Sequence, residues 1–284
     1  MRLLIACEDL SVAREVALAG STSSPCAEGV ARLLRDNEDG CRRIVEMLAS
    51  GVDSPPVGAS VEEGVRFCRR LFDWSVQQSE EASVALYSLA SPSILRLATE
   101  EIERLFRAWG LLGTNRVALD IGCGIGRLEE VLAPRLGRIV AVDVSSEMIA
   151  VAQRRCASHG NVVFRTTSGL DLQDHEDASY DLVFAVDSVP YLVQSGMPLV
   201  ADHFAEVARV LEAGGDFLIL NYSYREEPER DREEVAKLAL EHGFEVNVLG
   251  AKPFRIWDAT AFHLRRGPAH GGSARSSERP REGA

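Results

Sequence analysis

Lysine is almost missing from this 284-residue chain: only Lys237 and Lys252 occur, and arginine supplies the rest of its 31 basic residues. Basic residues as a whole fall short of the 43 acidic ones, which leaves a formal net charge of −12. That deficit argues against a bulk nucleic-acid partner, because phosphate contacts need clustered cations, and no basic cluster is interleaved with aromatics. No apolar run approaches the roughly 20 residues that cross a bilayer, so a spanning membrane protein is excluded. The six cysteines contain no C-x-x-C pair, which removes a disulfide framework and a zinc site from consideration. No internal repeat is visible, and no His, Cys or carboxylate pattern suggests a metal.

What is present is the balance of a folded protein, 46% hydrophobic and 26% charged. The length fits one domain with an appendage, or two small domains. Leu4-Ile5-Ala6-Cys7 has the form of a lipoprotein cleavage site. The apolar stretch before it is shorter than the roughly 7 to 15 residues of a signal peptide, and Glu8 and Asp9 follow at once. A reducing cytoplasm is therefore the expected compartment.

Residues 1 to 112 read as an α-helical cap. Val30, Leu33, Leu34, Cys41, Ile44, Val45 and Leu48 recur at three- and four-residue steps, as do Val61, Val65, Cys68, Leu71, Phe72 and Val76. Breaks at Gly20 to Pro25 and Gly51 to Pro56 predict two or three helices there. Ser91, with Pro92 at the first helical position, then starts another whose apolar face carries Leu95, Ile102, Leu105 and Phe106. From residue 113 to 266 short apolar runs alternate with helical patterns, the signature of an α/β domain with a mostly parallel sheet covered on both faces. Residues 244 to 249 and 261 to 264 predict a final hairpin. The stretch 267 to 284 contains almost no large apolar side chain and is expected to be disordered.

The informative stretch runs from Val117 to Arg127, a buried-type strand that ends in a glycine-rich turn and opens a helix. In an open parallel sheet, ligands bind beyond the carboxyl ends of the strands, and a turn without Cβ atoms lets a ligand lie against the backbone. A dinucleotide fingerprint requires G-x-G-x-x-G, but the residue three after Gly124 is Arg127. The observed pattern is Asp120-x-Gly122-Cys123-Gly124-x-Gly126, with Asp143 and Val144 ending the next apolar run.

This pattern resembles motif I of the class I S-adenosylmethionine-dependent methyltransferases, and the resemblance continues for roughly 150 residues through Ser145 to Ile149, Tyr180 to Phe184, and Arg209 to Gly215, a helix end and turn before the fifth strand. It implies a Rossmann-like, mostly parallel seven-stranded sheet that binds S-adenosylmethionine. By the same resemblance Gly122, Gly124 and Gly126 pack against the amino-acid part of the cofactor with Asp120 near its ammonium, and Asp143 accepts the ribose hydroxyls. One departure lies after the third strand, where many relatives have Gly-Asp and this chain has Thr167-Ser168-Gly169. Ser168, Asp171 or main-chain groups are left to meet the adenine.

Because the cofactor brings the activated carbon, such a protein mainly aligns the nucleophile and excludes water, sometimes with a base. Acceptor residues are expected beyond the fourth and fifth strands and in the cap. Asp187 and Tyr191 are the catalytic candidates, with Asp187 touching the sulfonium end or taking a substrate proton. Tyr87, Asn221, Tyr224 and Arg225 are candidate lid and substrate contacts, Arg225 through its planar fork for an anionic group. Trp257 and Asp258 are expected to fix the final hairpin. The expected activity is methyl transfer to an oxygen, nitrogen or carbon of a small molecule. Its rivals are a silent cofactor-binding regulator or scaffold, a protein methyltransferase, and a nicotinamide-dependent oxidoreductase. Asn-Pro-Pro-aromatic does not follow the fourth strand, which disfavours adenine or glutamine methylation. A homodimer is left open.

Overall fold

The computed structural model describes residues 9–21, 25–49 and 58–268. The potential leader around Cys7, residues 22–24 of the first predicted connector, all of the second, and the tail from residue 269 lie outside the described residues.

Seven strands form one sheet in the order β3-β2-β1-β4-β5-β7-β6. Five are mutually parallel: β1 (Gly113–Ile121), β2 (Leu136–Asp143), β3 (Val162–Thr166), β4 (Tyr180–Val186) and β5 (Leu211–Leu220). The last two, β6 (Phe244–Ala251) and β7 (Ala261–Arg266), pair antiparallel, and β7 inserts between β5 and β6. The expected sheet and final hairpin are both present. Central strands such as β4 are buried along nearly their whole length, the consequence of helices covering both faces.

Among the described residues six α-helices precede β1: α1 (Leu10–Ser21), α2 (Pro25–Asp36), α3 (Glu38–Ala49), α4 (Val61–Gln78), α5 (Glu80–Val84) and α6 (Pro92–Ala108). More helices form than the periodicity predicts. The stripe from Val30 to Leu48 is divided at Asn37, whose side chain donates back to the Leu33 carbonyl (2.9 Å), an alternative to the helical ladder that this residue type readily offers. Ser60 and Glu63 form a reciprocal capping box at the start of α4. Ser91 does precede α6 with Pro92 at its first position, but its hydroxyl meets Ser93 instead of capping the backbone.

The remaining helices alternate with strands: α7 (Arg127–Leu132), α8 (Ser146–Arg155), α9 (Val189–Ser195), α10 (Met197–Val210) and α11 (Pro228–Glu241). α10 stops at Val210, and Gly214-Gly215 lie inside β5, not in a turn before it; the register against β4 shifts there between Tyr180 and Leu182. An irregular strand start carries the same glycine signal as a turn.

Two core layers result. Leu119, Val183, Phe204, Phe217 and Phe262 pack on one face of the sheet, and Ile102, Phe106, Ile139, Phe184 and Leu218 on the other. Away from the carboxyl ends of the parallel strands, Arg116 pairs with Asp216 (2.5 Å), which also meets His263 (2.9 Å), while Trp109 stacks on His263 (5.6 Å, 11°). These contacts join β1, β5 and β7 to the end of α6.

Candidate active site

A cavity of about 1160 Å³ opens at the carboxyl ends of β1, β2, β4 and β5, with α4, α5 and the turn Leu86–Ser88 on its other side. Its walls are formed by chain segments far apart in sequence.

The glycine turn forms one wall. The Gly122 and Cys123 N–H groups both donate to the Val142 carbonyl (2.8 and 3.0 Å), which folds the turn onto β2. Gly122 has φ 85°, and a Cβ there would overlap that of Ser188. Gly124 has φ 53°, and its Cβ would lie 2.7 Å from Val84 of α5. Both positions combine a left-handed backbone with close packing, so only glycine fits without strain. Gly126 faces Ala152 of α8 and brings that helix against the turn.

Two acids flank the turn. Asp143 ends β2, and its two oxygens accept from the Gly124 N–H and the Ser145 N–H, each at 2.9 Å. Each carboxylate oxygen keeps capacity for a further donor. Burial pushes the Asp143 carboxyl up to about 6, against the opposing effect of those backbone donors. Asp120 is 1% exposed and one of its oxygens has no hydrogen-bond partner. Burial, then the adjacent charge of Glu129, hold Asp120 well above the usual carboxylate range.

The sequence does not mark Glu129 or Arg127 as site residues. Both are buried at the start of α7. Neither Glu129 oxygen has a hydrogen-bond partner, and burial raises its carboxyl too. Two adjacent buried carboxyls disfavour double ionisation. Arg127 lines the cavity and donates to Thr99 Oγ1 on α6 (3.1 Å). In the sequence these are charges in the first turn of a helix, a position usually solvated, and nothing local signals their burial.

At the other end of the cavity Asp187 follows β4 and Asn221 follows β5. Both have left-handed backbones, φ 61° and 69°. Their main chains are fixed by the Asp187 N–H on the Leu220 carbonyl (2.8 Å) and the Asn221 N–H on the Thr260 carbonyl (2.7 Å). Asp187 Oδ1 accepts from Asn221 Nδ2 (2.7 Å) and from the Tyr224 hydroxyl (3.0 Å). Burial raises the Asp187 carboxyl above its ordinary value. Tyr191 meets Tyr224 edge to face (5.7 Å, 82°) and Phe72 likewise (4.9 Å, 76°). Tyr87 stacks on Trp257 (5.7 Å, 22°), its hydroxyl buried without a partner. Trp257 thus lines the cavity as well as closing the loop before β7, which Glu101 anchors by accepting from the Arg255 and Ile256 N–H groups (3.1 Å each).

The structure therefore gathers Tyr87, Asp120, Gly122, Cys123, Gly124, Asp143, Val144, Gly169, Asp187, Tyr191, Asn221 and Tyr224 around one cavity, whereas Gly126 stands behind the turn. Two candidates lie elsewhere. Ser168 is exposed and its hydroxyl accepts from the Leu170 N–H (3.2 Å); Thr167, Gly169 and Asp171 line the wall instead. Arg225 is off the wall because its guanidinium binds Asp231 (2.7 Å) and Glu234 (2.6 Å), tying the loop after β5 to α11. His175 and His203 are both buried. They are bonded to the Tyr180 hydroxyl and to the Leu199 carbonyl.

The donor and acceptor set suits S-adenosylmethionine. The bent glycine backbone lies against the cavity, the orphaned Asp120 oxygen can accept from an ammonium, and Asp143 can accept from vicinal hydroxyls. The sheet order, the turn and the position of both acids agree with the resemblance to the class I S-adenosylmethionine-dependent methyltransferases. Residues 118–215 match the family model described as a methyltransferase domain.

Among curated relatives, the ubiquinone biosynthesis O-methyltransferase of Methylococcus capsulatus is 29% identical over 114 residues, 39% of this chain and 46% of that protein. The corresponding enzyme of Bradyrhizobium diazoefficiens is 35% identical over 101 residues, 35% of this chain and 39% of the relative. The chain thus spans less than half the length of these relatives. The solved phosphoethanolamine N-methyltransferase 1 of Haemonchus contortus, in complex with phosphoethanolamine and S-adenosylhomocysteine, superposes with a TM-score of 0.61 at 20% identity. The match covers 75% of this chain and 51% of that one, and it attests the fold. Among the described residues no helix is long and apolar enough to cross a membrane.

Proposed function

We propose that this protein transfers a methyl group from S-adenosylmethionine to an oxygen, nitrogen or carbon atom of a small molecule. The observation that carries this reading is the glycine turn set between Asp120 and Asp143 at the wall of a cavity that continues past any cofactor-binding wall to Asp187 and its tyrosines. When bound, the cofactor supplies a methyl group already activated on a sulfonium. The residues of the chain supply position and proton control. Asp143 holds the ribose hydroxyls, Asp120 faces the amino-acid end, and the turn provides backbone without side-chain obstruction. Asp187, fixed by Asn221 and Tyr224, accepts the proton that the acceptor gives up, and Tyr191 and Tyr87 pack against the acceptor body.

Residues 1 to 112 act in this reading as a cap. α5 lies over the turn through Val84, and α4 reaches the end of β2, where Arg69 Nε donates to the Val144 carbonyl (3.1 Å) and Asp73 accepts from Ser145 Oγ (2.6 Å). The net charge of −12 supports a small molecule over nucleic acid. Unpaired Cys41, Cys68, Cys123 and Cys156 suit a reducing cytoplasm. Calorimetry with S-adenosylmethionine and S-adenosylhomocysteine, followed by product analysis over a metabolite panel, tests the reading. Binding and a methylated product are expected. Tighter binding of NADH, or binding of S-adenosylmethionine without any product, would count against it.

A further inference from the structure

We propose that Arg127, joined by the Tyr87 hydroxyl, binds the carboxylate at the amino-acid end of the cofactor while Asp120 takes its ammonium. The proposal rests on the methyltransferase reading and assigns to that site a residue pair which fixes the methyl donor in place.

Three observations converge on this corner of the cavity. The first is the isolation of Arg127 itself. It is 6% exposed, lines the cavity, and stands at the first residue of α7. Among the described residues no carboxylate lies within ion-pair distance of it, and its hydrogen bond goes to the neutral Thr99 Oγ1 (3.1 Å). A guanidinium carries five donors in a planar fork that matches a carboxylate. Burying one without a bonded anion is costly, so an anion entering from the cavity completes the arrangement.

The second is the Tyr87 hydroxyl, which is buried without a hydrogen-bond partner. Burial raises its phenol, and the guanidinium of Arg127 beside it opposes that rise. Tyr87 belongs to the turn Leu86–Ser88 between α5 and α6, and its ring stacks on Trp257. The ring can border the acceptor while the hydroxyl points its donor at the group that Arg127 holds. One unused donor thus comes from the cap and several from the sheet domain.

The third is the sign of the neighbouring charges. Asp120, Glu129 and Asp187 all lie within electrostatic reach of Arg127. They surround the guanidinium without bonding to it. Asp120 lies on the cavity wall and has an oxygen with no partner. An α-amino acid carries its ammonium and its carboxylate on the same carbon, so a ligand whose ammonium meets Asp120 brings its carboxylate toward Arg127. Such a zwitterion gives a cation to the acid and an anion to the guanidinium, and the net charge of the cluster does not change. An anionic acceptor in the same place would add a negative charge beside three acids with no cation of its own. The other Lys or Arg on the wall, Lys252, is exposed and follows β6.

The consequence is alignment. Held by both substituents of its α-carbon, the amino-acid chain of the cofactor has little freedom left where it leads to the sulfonium. The grip is complete only with the cap in place, because Tyr87 supplies part of it. Arg127 moves no proton in this role.

The test compares S-adenosylmethionine with its decarboxylated form, which keeps the ammonium and the sulfonium, by calorimetry on the full chain. The unmodified protein is expected to bind the complete cofactor at least about tenfold tighter, the effect of hydrogen bonds to a charged group. In Arg127→Met that ratio should fall below about threefold. The decarboxylated form should bind the variant as tightly as before or tighter, because a cation that repels its ammonium is gone; a merely structural role for Arg127 would weaken both ligands together. Tyr87→Phe should lower the ratio by about threefold and leave the decarboxylated form unaffected. If Arg127→Met does not fold, Tyr87→Phe decides. A ratio near one in the unmodified protein overturns the proposal, as does a ratio that the folded variants leave unchanged or a parallel loss of both ligands in them. If the unmodified, folded protein binds neither ligand, the methyltransferase reading fails and the carboxylate grip with it.

Discussion

The two halves of the cavity are built by different means. The half at β1 and β2 is made within one stretch of chain, residues 120 to 145, from backbone bends, backbone donors and two acids at strand ends. The half at β4 and β5 is assembled from α4, the turn before α6, the loops after two strands and the loop before β7. The first depends on main-chain conformation and tolerates little variation; the second depends on side chains that converge only in the folded chain. The first half suits a constant cofactor and the second a variable acceptor.

The sharpest way to break this contrast is at the turn. Gly122→Val places a branched side chain at a left-handed position against Ser188. It should cost about 2–4 kcal/mol in stability, from backbone strain and overpacking together, and abolish cofactor binding. Chemical denaturation and calorimetry measure both, and a stable, binding-competent variant would show that the turn is not tightly constrained. Asp143→Ala should weaken S-adenosylmethionine binding by roughly 1.5–3 kcal/mol, the range for hydrogen bonds to a charged group. Unchanged affinity would remove Asp143 from the ribose.

The same acid sets a pH dependence. Its folded carboxyl is raised to about 6 from 3.8, so below that pH it is neutral and accepts less strongly. Cofactor affinity should therefore rise as pH increases through about 6, and Asp143→Asn should flatten that dependence in a calorimetric pH series. For folding the sign runs the other way: a raised acid contributes most below 3.8, and its contribution is lost as pH rises through about 6.

In the acceptor half single changes should matter less. Tyr224→Phe removes the hydroxyl bonded to Asp187 and keeps the ring. A loss of about 0.5–1.5 kcal/mol in stability to chemical denaturation is expected, with cofactor affinity unchanged. Ser168→Ala, on an exposed hydroxyl off the wall, should shift cofactor affinity by no more than about 0.5 kcal/mol. A larger loss would return Ser168 to the adenine end of the site.

The same contrast explains what the sequence disclosed. The order of strands, the turn and the two acids are legible because each is a local consequence of periodicity or glycine spacing, read over a few consecutive residues. Asp187, Asn221 and Tyr224 could be placed near the mouth, since they follow apolar runs, but their mutual hydrogen bonds depend on how β4 and β5 lie side by side. Arg225 looked available because a charge run conceals which of its members pair. Glu129 looked solvated because no local pattern marks a helix pressed beneath a strand end. Asn37 interrupts a stripe that apolar spacing alone would carry through, as its side chain competes with the helix for a carbonyl.

The Arg116–Asp216–His263 contacts fasten β1, β5 and β7 at the end remote from the cavity. With the sheet clamped at its base, the segments around the opening can be exchanged without unzipping the strands beneath them. That makes the molecule a natural chassis for retargeting: new rims could be grafted onto an unaltered foundation to accept other nucleophiles.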